Sequence, residues 1–228
     1  MAEQRCHRIV MIGATGAVGG HVAQTLVDHP STPELVILGR RLADVEGPKV
    51  AQHIADLEAP EDYIAHLAGA HTAICTVGVG EPSKVDREVF IRIDKTLVLD
   101  FARACKEAGV VHFLLLSSVS ADPTSHSFFL RIKGELEAGL RQLEFDRLSL
   151  FHPSMLMTPT NRYGFAQGVV LSLWPTLSRV MRGATSKYRS IDVAVLGRAM
   201  AAQACQSSGA AEETLYWDAF NSLAGVTI

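Results

Sequence analysis

The sequence predicts a single domain, residues 1–228, of the α/β class: a doubly wound, mostly parallel sheet in a three-layer αβα arrangement. Three observations lead there. Short, fully apolar runs recur along the chain, as parallel strands covered on both faces require. Stretches with apolar residues at helical spacing alternate with them. Polar residues and glycines gather at the carboxyl ends of the runs, where open α/β sheets hold ligands. With 48% hydrophobic and 20% charged residues, a chain of this length buries a good core. A net charge of −3 gives no support to a nucleic-acid surface.

The first run, residues 9–12, leads into Gly13-x-x-Gly16-x-x-Gly19 and then into residues 17–28, with Val18, Val22, Leu26 and Val27 at helical spacing. Gly13 permits a sharp turn out of the strand, Gly16 lets a phosphate approach the backbone, and Gly19 lets the helix pack closely. Amides at the helix start then form a pyrophosphate site, with Thr15, Ala17 and Val18 completing the turn. His29-Pro30 and Pro33 end the helix, and residues 35–38 form the second strand. At its end stand Gly39, Arg40 and Arg41, where an acidic residue would select NAD. Arginines there pair with the 2′-phosphate of NADP, so NADP(H) is the expected cofactor and NAD(H) the second choice. Two solvated loop arginines would give the same pattern.

A third strand is expected at residues 50–54, followed by Asp56, placed to touch an adenine amino group or else exposed in a loop, and Leu57. Residues 63–68 read as a short helix and 73–77 as the fourth strand. After Val77, the glycines of Gly78-Val79-Gly80 let the backbone run beside the second ribose. Residues 84–109 read as one long amphipathic helix, with Val89, Ile93, Leu97, Phe101 and Ala104 on one stripe and Gly109 closing it. The fifth strand, 110–116, ends in Ser117-Ser118. A helix over 127–140 carries Phe129, Lys133, Glu135 and Glu137, and a sixth strand over 146–151 runs into His152, Pro153, Ser154 and Met155. The apolar segment 164–181, with Trp174-Pro175 inside, is expected to form a substrate-pocket wall within residues 155–190. A helix over 194–205 and a closing strand over 215–220 complete the chain.

The four cysteines, Cys6, Cys75, Cys105 and Cys205, form no C-x-x-C and are expected as buried thiols. His21, His53, His66 and His71 lack metal-ligand spacing, and no metal is expected. The polar start, which includes Glu3, resembles neither a signal peptide nor a membrane span, so a cytoplasmic protein without membrane insertion is expected.

Several motifs together are more specific than the glycines alone. They are Gly13-Ala-Thr-Gly16-Ala-Val-Gly19, Leu38-Gly39-Arg40-Arg41, Val85-Asp86 with Arg92-Ile-Asp94, and His112-Phe-Leu-Leu-Leu-Ser117-Ser118. Lys133-Gly-Glu135-x-Glu137 and Phe145-Asp146-Arg147 follow. In this combination the chain resembles the atypical short-chain dehydrogenase/reductase superfamily, in particular its Tat-interacting-protein-like group. The resemblance implies a Rossmann-like, NAD(P)-binding sheet and a site of serine, tyrosine and lysine, the last two spaced Tyr-x-x-x-Lys. It implies that Ser118, or Ser117, holds a substrate carbonyl. It also implies that Lys133 contacts the nicotinamide ribose, and that His152, Pro153 and Met155 lie in the loop that closes over the nicotinamide. The histidine stands where the family often has arginine. At the tyrosine position this chain has Phe129, which has no proton to give.

The residues also admit plainer readings. Ser117-Ser118 could simply end a strand, and Lys133 could be a solvated residue paired with Glu137. His112 is expected as a satisfied residue at a strand edge, and Glu135 and Glu137 as solubilising residues pointing apart. The expected function is an NADP(H)-binding oxidoreductase-like protein, a carbonyl reductase with a degenerate Ser-Phe-Lys site acting on a small-molecule substrate. The alternative is a non-catalytic NADP(H)-binding redox sensor or protein-interaction module. A nucleotide-sugar epimerase would need the same tyrosine and a larger C-terminal region. The sequence leaves monomer and homodimer equally open.

Overall fold

The computed structural model describes residues 7–30, 32, 34–80, 84–158 and 181–226. The strands are β1 (Ile9–Ile12), β2 (Leu35–Gly39), β3 (Val50–Ile54), β4 (Thr72–Cys75), β5 (His112–Leu116), β6 (Arg147–Phe151), β7 (Leu156–Met157), β8 (Ile191–Asp192) and β9 (Glu212–Leu215). Seven of them form one sheet in the order β3-β2-β1-β4-β5-β6-β9, and every pairing is parallel. The fold is a Rossmann-like doubly wound sheet.

β1 shows why its sequence is apolar throughout. All four of its residues are buried, but Ile9 and Met11 join one core cluster while Val10 and Ile12 join the other. Alternating side chains thus feed two cores, one on each face. Helices α1 (Ala17–Asp28), α5 (Val193–Ala204) and α6 (Trp217–Leu223) cover the first face. Helices α3 (Leu97–Glu107) and α4 (Phe128–Arg141) cover the second.

Three elements differ from their sequence expectation. Residues 84–109 do not form one α-helix: α2 (Arg87–Ile91) and α3 are joined by a π turn, Arg92–Thr96. The extra residue in that turn moves the buried face by one position, from the expected Val89 and Ile93 to Phe90 and Asp94, and carries Asp94 into the interior, where it is 1% exposed. Residues 63–68 lie in tight turns, Pro60–Asp62 and Ile64–Leu67, with 3₁₀ geometry. The closing strand is shorter and earlier than expected. β9 ends at Leu215, and residues from Trp217 turn into α6 because the buried aromatics Trp217 and Phe220 are three apart, a helical interval.

The small β7–β8 pair is parallel, with Leu156 opposite Ile191. It returns the chain to the carboxyl end of β6, and Asp192 then caps α5 by accepting from the amides of Ala194 (2.8 Å) and Val195 (3.4 Å). Of the expected pocket wall, residues 159–180 lie outside the described residues, as does Cys6.

Candidate functional site

The strand order reverses between β1 and β4, and the glycine turn lies in that crevice. Gly13 adopts φ +90°, and a Cβ there would stand 2.7 Å from the backbone of Thr76 and Val77. A Cβ on Gly19 would collide with the Gly13 carbonyl. Both positions therefore require glycine, and the turn is pressed against the end of β4. The Gly16 amide donates to the Gly13 carbonyl (2.9 Å), and Gly16 caps α1 with no side chain. No acidic residue stands in the first turn of α1. The positive end of the helix dipole is thus left to a ligand.

An open cleft of about 400 Å³ begins at this helix start, lined by Ala14, Thr15, Gly16 and Gly20 on one side and Arg41, Leu42, Asp44 and Val45 on the other. Arg40 and Arg41 are both exposed. The side chains of Val18 and Leu57 belong to the core, which leaves only their main chain for a ligand. Asp56 is exposed, and its carboxylate accepts from the Glu58 amide (2.9 Å). Turn, uncapped helix and cleft fit a dinucleotide: pyrophosphate over Gly13–Gly19 and the adenosine ribose toward Arg41. A depression of similar size, lined by Ile64, Ala68, Gly69, Glu107 and Ala108, lies at the amino ends of the strands, away from these groups.

At the far end of the crevice, Lys133 is 5% exposed and its Nζ lies 2.8 Å from Asp94 Oδ1. The other Asp94 oxygen accepts from the Val79 amide (2.7 Å). Lys133 is therefore neither solvated nor paired with Glu137. A Cβ on Gly78 would stand 3.0 Å from Asp94 Oδ1 and 3.6 Å from Lys133 Nζ, whereas one on Gly80 would meet nothing. Only the first of these glycines is demanded by its surroundings. Phe129, one turn before Lys133, is half-buried with its ring 5.8 Å from that of Phe90.

Ser117 and Ser118 part company. Ser118 is half-buried and its hydroxyl makes only a long contact (3.4 Å) with the Val119 carbonyl among the described residues. Ser117 is buried and donates to Glu137 Oε1, which also accepts from His152 Nε2 (2.8 Å). Arg141 stands 3.6 Å from the second Glu137 oxygen. Glu137 is 3% exposed, so the expectation that it serves solubility is wrong: its partners come from the ends of β5 and β6. Glu135 does face outward, on Lys95 (2.7 Å). His152 Nδ1 has no partner among the described residues, and its ring meets that of Tyr216 edge-on at 5.5 Å. Pro153 and Met155 tie the loop down through their carbonyls, which accept from Val119 (2.9 Å) and Ile191 (2.9 Å).

His112 is not at a strand edge. β5 lies inside the sheet, His112 is fully buried against the Ser149 hydroxyl (2.8 Å), and burial together with Arg147 pushes its pKa down to about 3. Cys75 and Cys105 are buried thiols, raised by desolvation, Cys75 to about 12. Among the described residues no group of histidine, cysteine or carboxylate side chains could hold a metal, and no helix is long and apolar enough to cross a membrane.

Sequence reasoning missed three features. Asp94 was named only within the Arg92-Ile-Asp94 motif, with no role given to it. Glu137 follows Lys133 by four residues and reads locally as an ion-pair partner. The third is a set of aromatic and cationic groups over the carboxyl ends of the strands: Lys187 Nζ lies 5.2 Å from the ring centre of Tyr188 and 6.0 Å from that of Tyr216, and Arg189 stacks on Trp217 at 3.7 Å.

Comparison with known proteins places this architecture. A family model described as NAD(P)H-binding matches residues 13–144. The rat protein HTATIP2 is 32% identical over 152 residues, 65% of this chain and 62% of that protein. The protein FMP52, mitochondrial, of Meyerozyma guilliermondii is 31% identical over 151 residues, 66% of this chain and 65% of that protein. The match thus spans slightly less than two thirds of the length of these relatives. A short-chain dehydrogenase/reductase superfamily protein from Agrobacterium tumefaciens, solved with bound NAD, has the same fold, with a TM-score of 0.67 at 15% identity over 96% of this chain and 81% of that one. From the glycine turn at the switch point to the end of α4, and in the sheet that carries both, this chain belongs to the NAD(P)H-binding family.

Proposed function

We propose that the chain is an NADP(H)-dependent oxidoreductase that reduces a small carbonyl compound. The observation that carries the cofactor half is the uncapped start of α1 opening on a cleft whose far wall holds Arg41. Main-chain amides of Gly13, Thr15, Gly16, Ala17, Val18 and Gly19 surround the pyrophosphate, and Arg40 and Arg41 take the 2′-phosphate. Asp56 and Leu57 flank the adenine, and Val77 and Gly78 flank the second ribose. Lys133 holds a ribose hydroxyl, His152, Pro153 and Met155 border the nicotinamide, and Ser118 orients the carbonyl through its uncommitted hydroxyl. When bound, the reduced nicotinamide supplies the hydride.

Calorimetry with NADPH and NADH tests this reading. NADPH should bind at least about tenfold more tightly, and Arg41→Ala should remove most of that preference, about 1.4 kcal/mol, while leaving NADH binding unchanged. Equal affinities in the wild-type protein would overturn the preference, and no binding of either would overturn the reading. A second reading, NADP(H) binding without turnover, draws support from Phe129 and from the commitment of Lys133 to Asp94. Tight NADPH binding with no NADPH oxidation across a panel of aldehydes and quinones would decide for it.

A further inference from the structure

We propose that Tyr188 is the proton donor of this site, standing in from a different part of the chain for the phenol that Phe129 lacks. The inference rests on the carbonyl-reductase reading above. Hydride transfer to a carbonyl carbon leaves negative charge on the oxygen, and an acid within reach must neutralise it. A phenol does so when a hydrogen-bond donor and a cation stabilise the phenolate left behind. Tyr188 has both. Its hydroxyl is hydrogen-bonded to the side chain of Ser120, and Lys187 stands over its ring and bonds to it as well. These contacts hold the phenol below its ordinary value of 10, with the Ser120 hydrogen bond the larger cause.

The position suits the role. Ser120 belongs to the loop that leaves β5, two residues beyond Ser118, and that loop is pinned to the end of β6 by the Val119 amide on the Pro153 carbonyl (2.9 Å). Ser120 is held at φ +64°, a left-handed conformation rare for a residue other than glycine, and such conformations concentrate at functional sites. From the other side, the β7–β8 pair brings the turn Gly183–Tyr188 back over the same strand ends. Lys187 also faces Tyr216, which meets His152. Tyr188 is 36% exposed and so open to a ligand, whereas the phenol of Tyr63 is fully buried and raised to about 12. Of the described tyrosines, Tyr188 alone combines access with a serine hydroxyl and an ammonium group.

The step balances simply. The carbonyl carbon receives the hydride of the reduced nicotinamide, the carbonyl π bond opens, and the oxygen takes the proton as the Tyr188 O–H bond breaks. The products are the alcohol, the oxidised cofactor and a phenolate held by Lys187 and Ser120, to which water returns the proton. Ser118, on the same loop as Ser120, keeps the carbonyl in place.

Tyr188→Phe and Lys187→Met, made in the full chain, test the assignment with three readouts: NADPH affinity by calorimetry, NADPH oxidation with aldehydes and quinones, and the ultraviolet titration of the phenol without cofactor. Tyr188→Phe should bind NADPH within about twofold of wild type, lose at least about 100-fold in turnover, and remove one phenol titrating below the ordinary range. Lys187→Met should move that titration toward 10. Turnover in Tyr188→Phe within about threefold of wild type, or a difference titration at or above the ordinary tyrosine range, would overturn the proposal. Wild-type protein that binds NADPH but reduces none of the panel would also overturn it while leaving the cofactor assignment standing. Absence of NADPH and NADH binding would instead remove the reading beneath it.

Discussion

The inner strands of the sheet end in two clusters built from the same residue types, a serine, a glutamate, a histidine and an arginine, with both serines and both histidines buried. At the amino end, His112 Nε2 lies 2.8 Å from the Ser149 hydroxyl, which donates to Glu213 (2.9 Å) with Arg147 nearby (3.6 Å). At the carboxyl end, Ser117 and His152 both converge on Glu137, with Arg141 at 3.6 Å. Each histidine keeps an unpartnered Nδ1 among the described residues. The difference lies in the hub. In the first cluster it is a hydroxyl, closed over by Gln203 of α5, with a cation as the histidine's charged neighbour. In the second it is a carboxylate, so His152 must donate to it, and the loop that carries the histidine borders the crevice. Residue type alone does not mark a functional cluster. Which end of the strands it occupies does, because ligands of open α/β sheets bind beyond the carboxyl ends.

Removing the glutamate of each cluster sharpens this contrast most. Glu137→Ala strands a buried serine and a buried histidine and should cost about 3 kcal/mol in denaturant melts. Glu213→Ala should cost about half as much, because that side chain is already 23% exposed. Equal losses would show that the two glutamates do the same structural work.

The next effect is acid sensitivity. His112 is held neutral in the fold, with a pKa of about 3 against 6.5 in its ordinary state. Above pH 6.5 it is neutral in both states and its full contribution is present. As pH falls from there toward 3 the unfolded chain takes a proton that the folded one does not, so stability drops by about 1.4 kcal/mol per pH unit. His112→Gln should flatten that slope in melts at stepped pH, and an unchanged slope would place the acid sensitivity elsewhere.

Tyr63 gives the smallest effect and a baseline for both clusters. Its hydroxyl is buried without a partner among the described residues, so Tyr63→Phe should be neutral or stabilise by up to about 1 kcal/mol. A clear loss would reveal a partner for that hydroxyl.

Much of the scaffold was legible because its signals are local. The limits of α1 agree with the sequence reading residue for residue, since a glycine turn before it and His29-Pro30 after it admit few alternatives. The π turn was not legible: it moves the buried face by one residue, from Ile93 to Asp94, and the partner that satisfies a buried Asp94, Lys133, comes from a distant helix. Glu137 was misread for a related reason. Its charge looks like a solvated helix face until Ser117 and His152, 20 and 15 residues away, arrive from the strands. Tyr188 and Ser120 are farther apart still, and no spacing rule joins them. Cofactor-facing glycines are written locally, whereas proton-handling groups are assembled by topology.

Asp94 has a further consequence. Because its carboxylate already balances the Lys133 ammonium, that lysine brings no net charge to the nicotinamide end of the crevice, while the adenosine end exposes two arginines to solvent. Salt should therefore weaken the contacts of the exposed arginines more than those of the buried Lys133. If Arg40 and Arg41 take the 2′-phosphate as proposed, the two ends are separable units for engineering: substitutions there should rewrite cofactor choice without retuning the groups at the substrate end.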